Sequence, residues 1–161
     1  MAQGIDVTVA AIIERDQRFL VVEESVGGRV VLNQPAGHLE RGESLLAAVV
    51  RETLEETGHR FEPSGLVGIY LWHSEEAATT FLRVTFCGPA QAPSTRPKLD
   101  AGILGTHWLT HAQILRREKN LRSPMVRRCL DDYVAGIRYP LECLTHVDAS
   151  LLHPPARFAQ G

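Results

Sequence analysis

Three glutamates close together in the first half of the chain are the residues whose types and spacing best fit a chemical role. On a helix that turns by about 100° per residue, Glu52, Glu55 and Glu56 fall within roughly one third of the circumference. The adjoining apolar stripe, which is the natural core-facing side, consists of Leu46, Val49, Val50 and Thr53. We therefore expect the three acids at the edge of a buried face, pointing in the same direction.

The helix that would carry these acids has recognisable ends. Ser44 is a candidate N-cap, and Gly58 stands where a left-handed glycine would end the helix. Acids near the negative end of a helix dipole cost roughly 0.3–1 kcal/mol each, and like charges at this spacing repel by about 0.2–0.5 kcal/mol per pair. A bound hard cation would reverse the sign of both effects. The alternative is a solvated acidic face, and the carboxylates alone do not decide between the two.

The spacing of the surrounding residues is highly specific. Its fixed positions, with the number of residues between them, are Gly37, five residues, Glu43, seven residues, Arg51–Glu52, two residues, Glu55–Glu56, one residue, and Gly58. This pattern resembles the Nudix box, the signature of the Nudix hydrolase superfamily. Thr53 and His59 depart from it, because the family usually has aliphatic residues there. Neither is a ligand position, and we interpret Glu43 as mainly structural.

The resemblance implies a metal-dependent mechanism. Glu52, Glu55 and Glu56 would be metal ligands, together with the backbone carbonyl of Gly37. Mg²⁺, or alternatively Mn²⁺, would be the cofactor, since both prefer oxygen ligands and leave positions for water and substrate phosphates. Either Glu52 or Glu55 would accept the proton of the attacking water, and Arg51 would orient the acids. The implied reaction is hydrolysis of a phosphoanhydride bond.

Composition limits the classes of protein to which this chain could belong. Its 161 residues predict one domain over residues 1–161, with a poorly patterned tail from about 145 to 161. A net charge of -2 argues against a nucleic-acid polymer as partner. The apolar runs are too short to span a bilayer and the start lacks a secretory pattern, so we expect a cytoplasmic monomer or small homo-oligomer. The cysteines are expected to be reduced thiols.

The order of elements predicts an α/β (α+β) fold. The predicted strands are residues 5–14, 18–24, 30–34, 66–72, 80–86 and 103–109, and the predicted helices are 45–57, 111–117 and 124–134. We expect a tight turn between the first two strands, and irregular loops at residues 35–42 and 88–97. This pattern predicts a mixed β-sheet between helices, which agrees with the α/β/α sandwich that the Nudix resemblance implies.

The resemblance extends beyond the box to one subgroup of the family. Segments 6–24, 33–40, 81–83, 120–124 and 138–142 are similar to those of the NudJ-type phosphatases, so the likeness reaches to about residue 144. It implies Mg-dependent phosphatase action on nucleoside di- and triphosphates and on the pyrophosphate of a hydroxymethylpyrimidine, a thiamine precursor. Orthophosphate, rather than pyrophosphate, would be released. The partner would be this small phosphorylated substrate.

The remainder of the substrate pocket has several candidate residues. Asn33 and Gln34 immediately precede the loop 35–42, which carries Gly37, and could bond a base or sugar, while Arg83 is a candidate partner for phosphate or carboxylate. Trp72 could stack on a heterocycle, and Arg122–Ser123 opens a predicted helix, a good setting for an anion. Each has a structural alternative: a polar strand end, a solvent-facing arginine, a core tryptophan or a simple N-cap.

Two other functions stay open. A Nudix hydrolase could act instead on ADP-ribose, a dinucleoside polyphosphate or an RNA 5′ end, because substrate choice lies in loops outside the box. The acidic net charge weighs against RNA. The other alternative is a non-catalytic nucleotide sensor that uses the same fold. The presence of all three acids weighs against that alternative.

Overall fold

The computed structural model describes residues 4–147. The strands are β1 Ile5–Ile12, β2 Glu14–Arg15, β3 Arg18–Val26, β4 Arg29–Asn33, β5 Ala36–His38, β6 Arg60–Phe61, β7 Gly65–Ser74, β8 Thr79–Cys87, β9 Ala90–Gln91 and β10 Ile103–Thr110. The helices are α1 Leu45–Thr57, α2 His111–Leu115 and α3 Pro124–Val134, with short 3₁₀ turns at Glu118–Asn120 and Leu141–Cys143.

The first sheet has the strand order β5-β1-β8-β7 and is mixed. Its central pair, β1 and β8, runs parallel and in register from Ile5 opposite Thr80 to Ile12 opposite Cys87, while the outer pairs are antiparallel. Residues Val9 to Ile12 are all buried, as expected for a strand that is covered on both faces. The predicted mixed sheet is confirmed.

The second sheet pairs β3 with β10 on one side and with β2 and β4 on the other. The predicted tight turn is present: Asp16 and Gln17 have φ of 50° and 59° between β2 and β3. The prediction of one continuous strand over residues 5–14 is wrong, because the chain changes sheets after β1. The backbone carbonyl of Ile13 accepts a hydrogen bond from Leu20 at the point of change.

Helices cover the sheets from two sides. Alternate residues of β1 face different apolar clusters, with Val9 and Ala11 packing with the α1 residue Val49, and Ile12 packing with residues of α3 such as Met125 and Leu130. The period of two in a strand requires this division. The predicted layering of helix, sheet and helix is therefore confirmed.

Helix α1 begins and ends at the predicted residues. The Ser44 side chain accepts a hydrogen bond from the Ala47 backbone N–H at 3.1 Å, and Gly58 ends the helix with φ of 71°. The two departures from the box are accommodated in the interior. Thr53 donates its hydroxyl to the Val49 carbonyl at 2.7 Å, and buried His59 packs edge-on against Trp108.

Several boundaries differ from the sequence expectation. The predicted loop 35–42 contains β5, which pairs with β1, and loop 88–97 contains β9, which pairs with β6. Such two- and three-residue strands carry no periodic signal. Helix α2 ends at Leu115 instead of residue 117. Most of the predicted tail lies outside the described residues. No helix within the described part is long and apolar enough to cross a membrane.

Candidate active site

A cavity of about 330 Å³ opens beside the second half of α1. Its wall combines side chains from β1, β3, β4, β7, β8 and α1 with the segment at the start of α3. Its lining includes Glu52 and Glu56, which form what we call its acidic part, and also Arg83, Trp72 and Ser123. One concave space therefore joins the predicted metal-binding residues to several of the predicted substrate-binding residues.

The acidic part of the cavity is built around a glycine. A side chain at Gly37 would overlap the carboxylate of Glu52, so only a residue without a Cβ allows this close approach. Glu56 is buried, with 8% of its surface exposed, and its Oε2 accepts a hydrogen bond from the Ala36 backbone N–H at 2.9 Å. Strand β5 and helix α1 are thus joined at the position where the box places its ligands.

Arg51 holds the acidic groups around it in place. Its guanidinium donates to Glu43 at 2.7 and 3.1 Å, to Glu52 at 2.8 Å and to Glu55 at 3.0 Å. It also donates to the backbone carbonyl of His38 at 3.0 Å. The pKa of Glu43 is lowered, chiefly by the hydrogen bond from Arg51. The sequence predicts an orienting Arg51 and a structural Glu43, and these contacts suit both roles.

The acids differ strongly in their surroundings. Burial raises the pKa of Glu56 to about 8, opposed by the Ala36 hydrogen bond and reinforced by negative charge on Glu24, Glu52 and Asp100. Burial also raises the pKa of Glu52, and the hydrogen bond from Arg51 opposes it. Crowding carboxylates in a poorly solvated space is unfavourable without a cation nearby.

The carboxylates are not assembled into a finished coordination sphere. Among residues 4–147, no group of three or more acidic, histidine or cysteine side chains is arranged to hold a metal ion. The side chain of Glu55 is 40% exposed, bonds Arg51 and does not line the cavity. Glu52, Glu56 and Gly37 do line it. Their oxygen donors and the buried, charge-rich setting fit Mg²⁺ or Mn²⁺, which retain water and phosphate as further ligands.

The predicted substrate-binding residues meet at the other part of the cavity. Arg83 is 5% exposed and donates to the side-chain oxygens of Gln34 at 3.1 Å and Asn33 at 3.3 Å. Asn33 and Arg83 line the cavity, whereas Gln34 lies behind them and donates to the Val126 carbonyl at 2.8 Å. Gln34 therefore fixes Arg83 from the interior.

An aromatic surface lies next to this arginine. The rings of Trp72 and Phe81 stack with centroids 5.6 Å apart and an interplanar angle of 20°, and both line the cavity. Trp72 is only partly buried, although it packs against the apolar cluster that contains Met125 and Leu130. The tryptophan is thus neither a purely core residue nor a free surface residue.

Four further cavity residues complete or extend the sequence analysis. Arg122 and Ser123 precede α3 and line the cavity, as a binding role for that segment requires. Glu24 and Thr8 line it as well and were missed. A charged residue at the end of the apolar strand β3 was the available signal for Glu24. Thr8 gives no such signal, because a threonine in a strand is ordinary.

Comparisons with known proteins agree on the family. The NUDIX domain matches residues 4–129. Proteins called Phosphatase NudJ from Escherichia coli (strain K12) and Shigella boydii are each 38% identical over 138 residues, which make up 86% of this chain and 89% of theirs. A solved NUDIX hydrolase from Nitrosomonas europaea is 47% identical with a TM-score of 0.88, covering 91% of this chain and 100% of that one.

A more distant structure shares the fold. The bifunctional NMN adenylyltransferase/ADP ribose pyrophosphatase from Francisella tularensis, complexed with AMP and Mn ion, has a TM-score of 0.67 at 14% identity, over 84% of this chain and 43% of that chain. At this identity the structure shows the fold alone, whereas the NUDIX match and the nearer relatives show the family. The chain belongs to the Nudix hydrolase family, is similar to the NudJ phosphatases, and is an enzyme for phosphoanhydride substrates, as the box predicts.

Proposed function

We propose that this enzyme is a Mg²⁺-dependent phosphatase, with Mn²⁺ as the alternative cation. Its substrates would be nucleoside di- and triphosphates and the pyrophosphate of a hydroxymethylpyrimidine, and orthophosphate would be released. The observation that carries the proposal is the arrangement of one cavity, where Glu52 and Glu56 lie in the same space as Arg83 and the Trp72–Phe81 stack. The 38% identity to proteins called Phosphatase NudJ supports the same reaction class.

The acidic part of the cavity is the proposed metal site. Nudix hydrolases use divalent metals in general. Glu52, Glu56 and the Gly37 carbonyl would be ligands, and Glu55 would join them after its side chain turns away from Arg51. When bound, the cation supplies charge neutralisation on the phosphates and lowers the pKa of coordinated water.

Glu52 is the better placed of the two candidate general bases. Glu52 lines the cavity and its side chain is 12% exposed, whereas the side chain of Glu55 is 40% exposed and Glu55 does not line the cavity. In the proposed reaction the Glu52 carboxylate takes a proton from water as the water oxygen bonds to phosphorus. The bridging P–O bond then breaks, and its electron pair stays with the leaving phosphate. Arg51 positions the carboxylate through its hydrogen bond.

The other part of the cavity is the proposed place for the organic part of the substrate. Asn33 and Arg83 supply polar contacts, and the Trp72–Phe81 pair supplies a flat surface on which a heterocycle can stack. Gln34 contributes indirectly, because it holds Arg83.

A panel of phosphorylated compounds tests the proposal. Purified enzyme is incubated with nucleoside di- and triphosphates, hydroxymethylpyrimidine pyrophosphate, ADP-ribose and a dinucleoside polyphosphate, with Mg²⁺, Mn²⁺ or a chelator. Orthophosphate is measured directly, and the organic products are separated by chromatography, because cleavage of ADP-ribose gives AMP and ribose 5-phosphate without orthophosphate. We expect orthophosphate from the first three classes and no activity with the chelator. Efficient cleavage of ADP-ribose, orders of magnitude better than of every other compound, would contradict the proposal.

Glu56→Gln is the matched variant for this assay. It keeps the side-chain size and removes the negative charge, and we expect turnover to fall at least about a hundredfold. Glu62→Gln is the control, because Glu62 bonds exposed Gln91 away from the cavity. Near-normal turnover of Glu56→Gln would remove that residue from the mechanism.

A further inference from the structure

Unpartnered buried polar atoms are concentrated in the same cavity. Over residues 4–147, the buried side-chain atoms without a hydrogen-bond partner are Thr8 Oγ1, Glu24 Oε1, Arg83 Nε, His107 Nε2 and Ser123 Oγ. All of these residues except His107 line the cavity. Buried polar groups in folded proteins are almost always bonded, so such a concentration indicates groups that a ligand would satisfy.

Arg83 is a buried cation whose protein partners are neutral. Its two terminal nitrogens bond amide oxygens of Asn33 and Gln34, and its Nε–H is left over as a donor. The side chain cannot easily withdraw, because Gln34 is fixed in turn by the Val126 carbonyl. The cavity is thus lined by a fixed donor that no acceptor among residues 4–147 bonds.

Glu24 offers the complementary group. Its Oε1 is buried and has no hydrogen-bond partner within the described part of the chain, where the nearest cationic atom is Arg122 Nε at 3.9 Å, beyond hydrogen-bond distance. The side chain is 17% exposed. An ionised carboxylate accepts hydrogen bonds and donates none, so this atom fits a donor on the ligand.

The donor, the acceptor and the aromatic surface fit one kind of ligand. A ring stacked on Trp72 and Phe81 would turn its edge toward polar side chains that line the same cavity. Adenine and cytosine present an amino group next to a ring nitrogen acceptor on one edge. Hypoxanthine and uracil present an oxygen next to a ring N–H, which is the opposite order. The hydroxyls of Thr8 and Ser123 can pair with either order, because a hydroxyl both donates and accepts hydrogen bonds.

We propose that Glu24 determines specificity by selecting a heterocycle that carries an amino group over one that carries an oxo group. Glu24 Oε1 accepts a hydrogen bond from the amino group, and Arg83 Nε–H donates to the adjacent ring acceptor. This assignment rests on the proposed function, since it concerns the organic part of that substrate. A carboxylate that met an oxo group would leave both oxygens without a donor, which is unfavourable in a buried site.

Two pairs of nucleotides test the assignment independently of ring size. CDP is compared with UDP, and ADP with IDP, by kcat/KM for orthophosphate release. We expect wild-type enzyme to prefer CDP and ADP by at least about tenfold. In Glu24→Gln, which can donate to an oxo group, both ratios fall at least about tenfold through KM, while kcat for the preferred nucleotides changes little.

The control is Glu23→Gln on the same strand. Glu23 Oε2 lies 3.5 Å from His107 Nε2, and Glu23 does not line the cavity. The nucleotide ratios of the Glu23→Gln enzyme should therefore equal those of wild type. Unchanged ratios in a folded Glu24→Gln enzyme overturn the proposal. Equal efficiency for both members of each pair in wild type overturns it as well, whether or not the variant folds. If wild-type enzyme released no orthophosphate from any of the four nucleotides, that result would instead contradict the proposed function.

Discussion

Arg51 connects more acidic groups than any i,i+4 pair on a surface helix could. It bonds Glu43 ahead of α1, Glu52 and Glu55 within the helix, and the His38 carbonyl of β5. A planar guanidinium with several fixed donors can serve all of them, whereas an ammonium group is a single point of charge. Orientation of the acids therefore depends on the shape of this side chain as well as on its charge.

Replacement of Arg51 should reveal this dependence. We expect Arg51→Ala and Arg51→Lys each to lower kcat by about tenfold to a hundredfold, because small misplacement of catalytic groups is costly. The magnesium concentration for half-maximal activity should rise in both. Arg127→Ala is the control, since Arg127 bonds Glu118 in the 3₁₀ turn before α3 and Asp131 on α3, and such exposed pairs contribute little. Full activity of Arg51→Lys would show that charge alone suffices.

Glu56 makes stability depend on pH in a predictable direction. Its pKa of about 8 in the folded protein lies above its ordinary 4.5, so the folded state binds this proton more tightly than the unfolded chain. The contribution is complete below about pH 4.5 and is lost as pH rises toward 8. In the presence of a chelator, the free energy of unfolding of wild type should therefore fall between about pH 4.5 and pH 8 relative to that of Glu56→Gln.

Urea unfolding at pH 5 and pH 8 measures this difference. Added Mg²⁺ should restore stability of wild type at pH 8 and have little effect on Glu56→Gln, because the ion stabilises the ionised carboxylate. Parallel pH profiles for the two proteins would argue that Glu56 titrates normally.

At the scale of elements, the site depends on where α1 begins and ends. Ser44 caps its first turn, and Gly58 ends it in left-handed conformation two residues after Glu56. Beyond it, the Asp100 backbone N–H donates to the Glu55 carbonyl at 3.1 Å, so the loop before β10 is tied to the end of the helix. The position of the acids is thus fixed by both termini.

Gly58→Ala should therefore destabilise the protein more than the replacement of a left-handed glycine usually does. A left-handed conformation costs an L-residue about 1–2 kcal/mol, and a Cβ at Gly58 would also overlap the ring of Pro97. Gly136→Ala is the matched control, since Gly136 follows α3 with φ of 84° and has open space around it. We expect Gly58→Ala to lose about 1 kcal/mol more than Gly136→Ala in chemical unfolding. Equal losses would mean that Pro97 moves freely.

At the scale of the whole molecule, the cavity joins parts that are far apart in the chain. β3 and β4 belong to one sheet, β1, β7 and β8 belong to the other, and α1 and α3 cover opposite sides. A ligand that touches Glu52, Arg83 and Ser123 at once would link these layers. Binding should consequently stabilise the entire folded structure rather than one loop.

Thermal unfolding tests this coupling. At about one hundred times Kd, a bound ligand adds about 2.7 kcal/mol, which for a chain of this size raises Tm by about 5–10 °C. We expect this shift with Mg²⁺ and a non-hydrolysable nucleoside diphosphate together, and smaller shifts with either alone. A Tm shift with both ligands that is no larger than the sum of the shifts with each ligand alone would contradict a shared site.

The sequence alone determined the family and the acidic part of the site, because both depend on spacing within one helix and its adjoining loop. The ends of α1, the roles suggested for Arg51 and Glu43, and most strands could be predicted from local pattern in the same way. The change of sheets after Ile12 could not be predicted, since the sequence of an apolar strand does not indicate which strand it pairs with.

Only the tertiary structure decided which residues share the cavity. Parallel pairing of β1 with β8 places Thr8 opposite Arg83, and the packing of α3 brings Ser123 to the same space. Glu24 and Gln34 acquire their positions from contacts across the sheets. Such contacts join residues distant in sequence, and neither periodicity nor motif spacing records them.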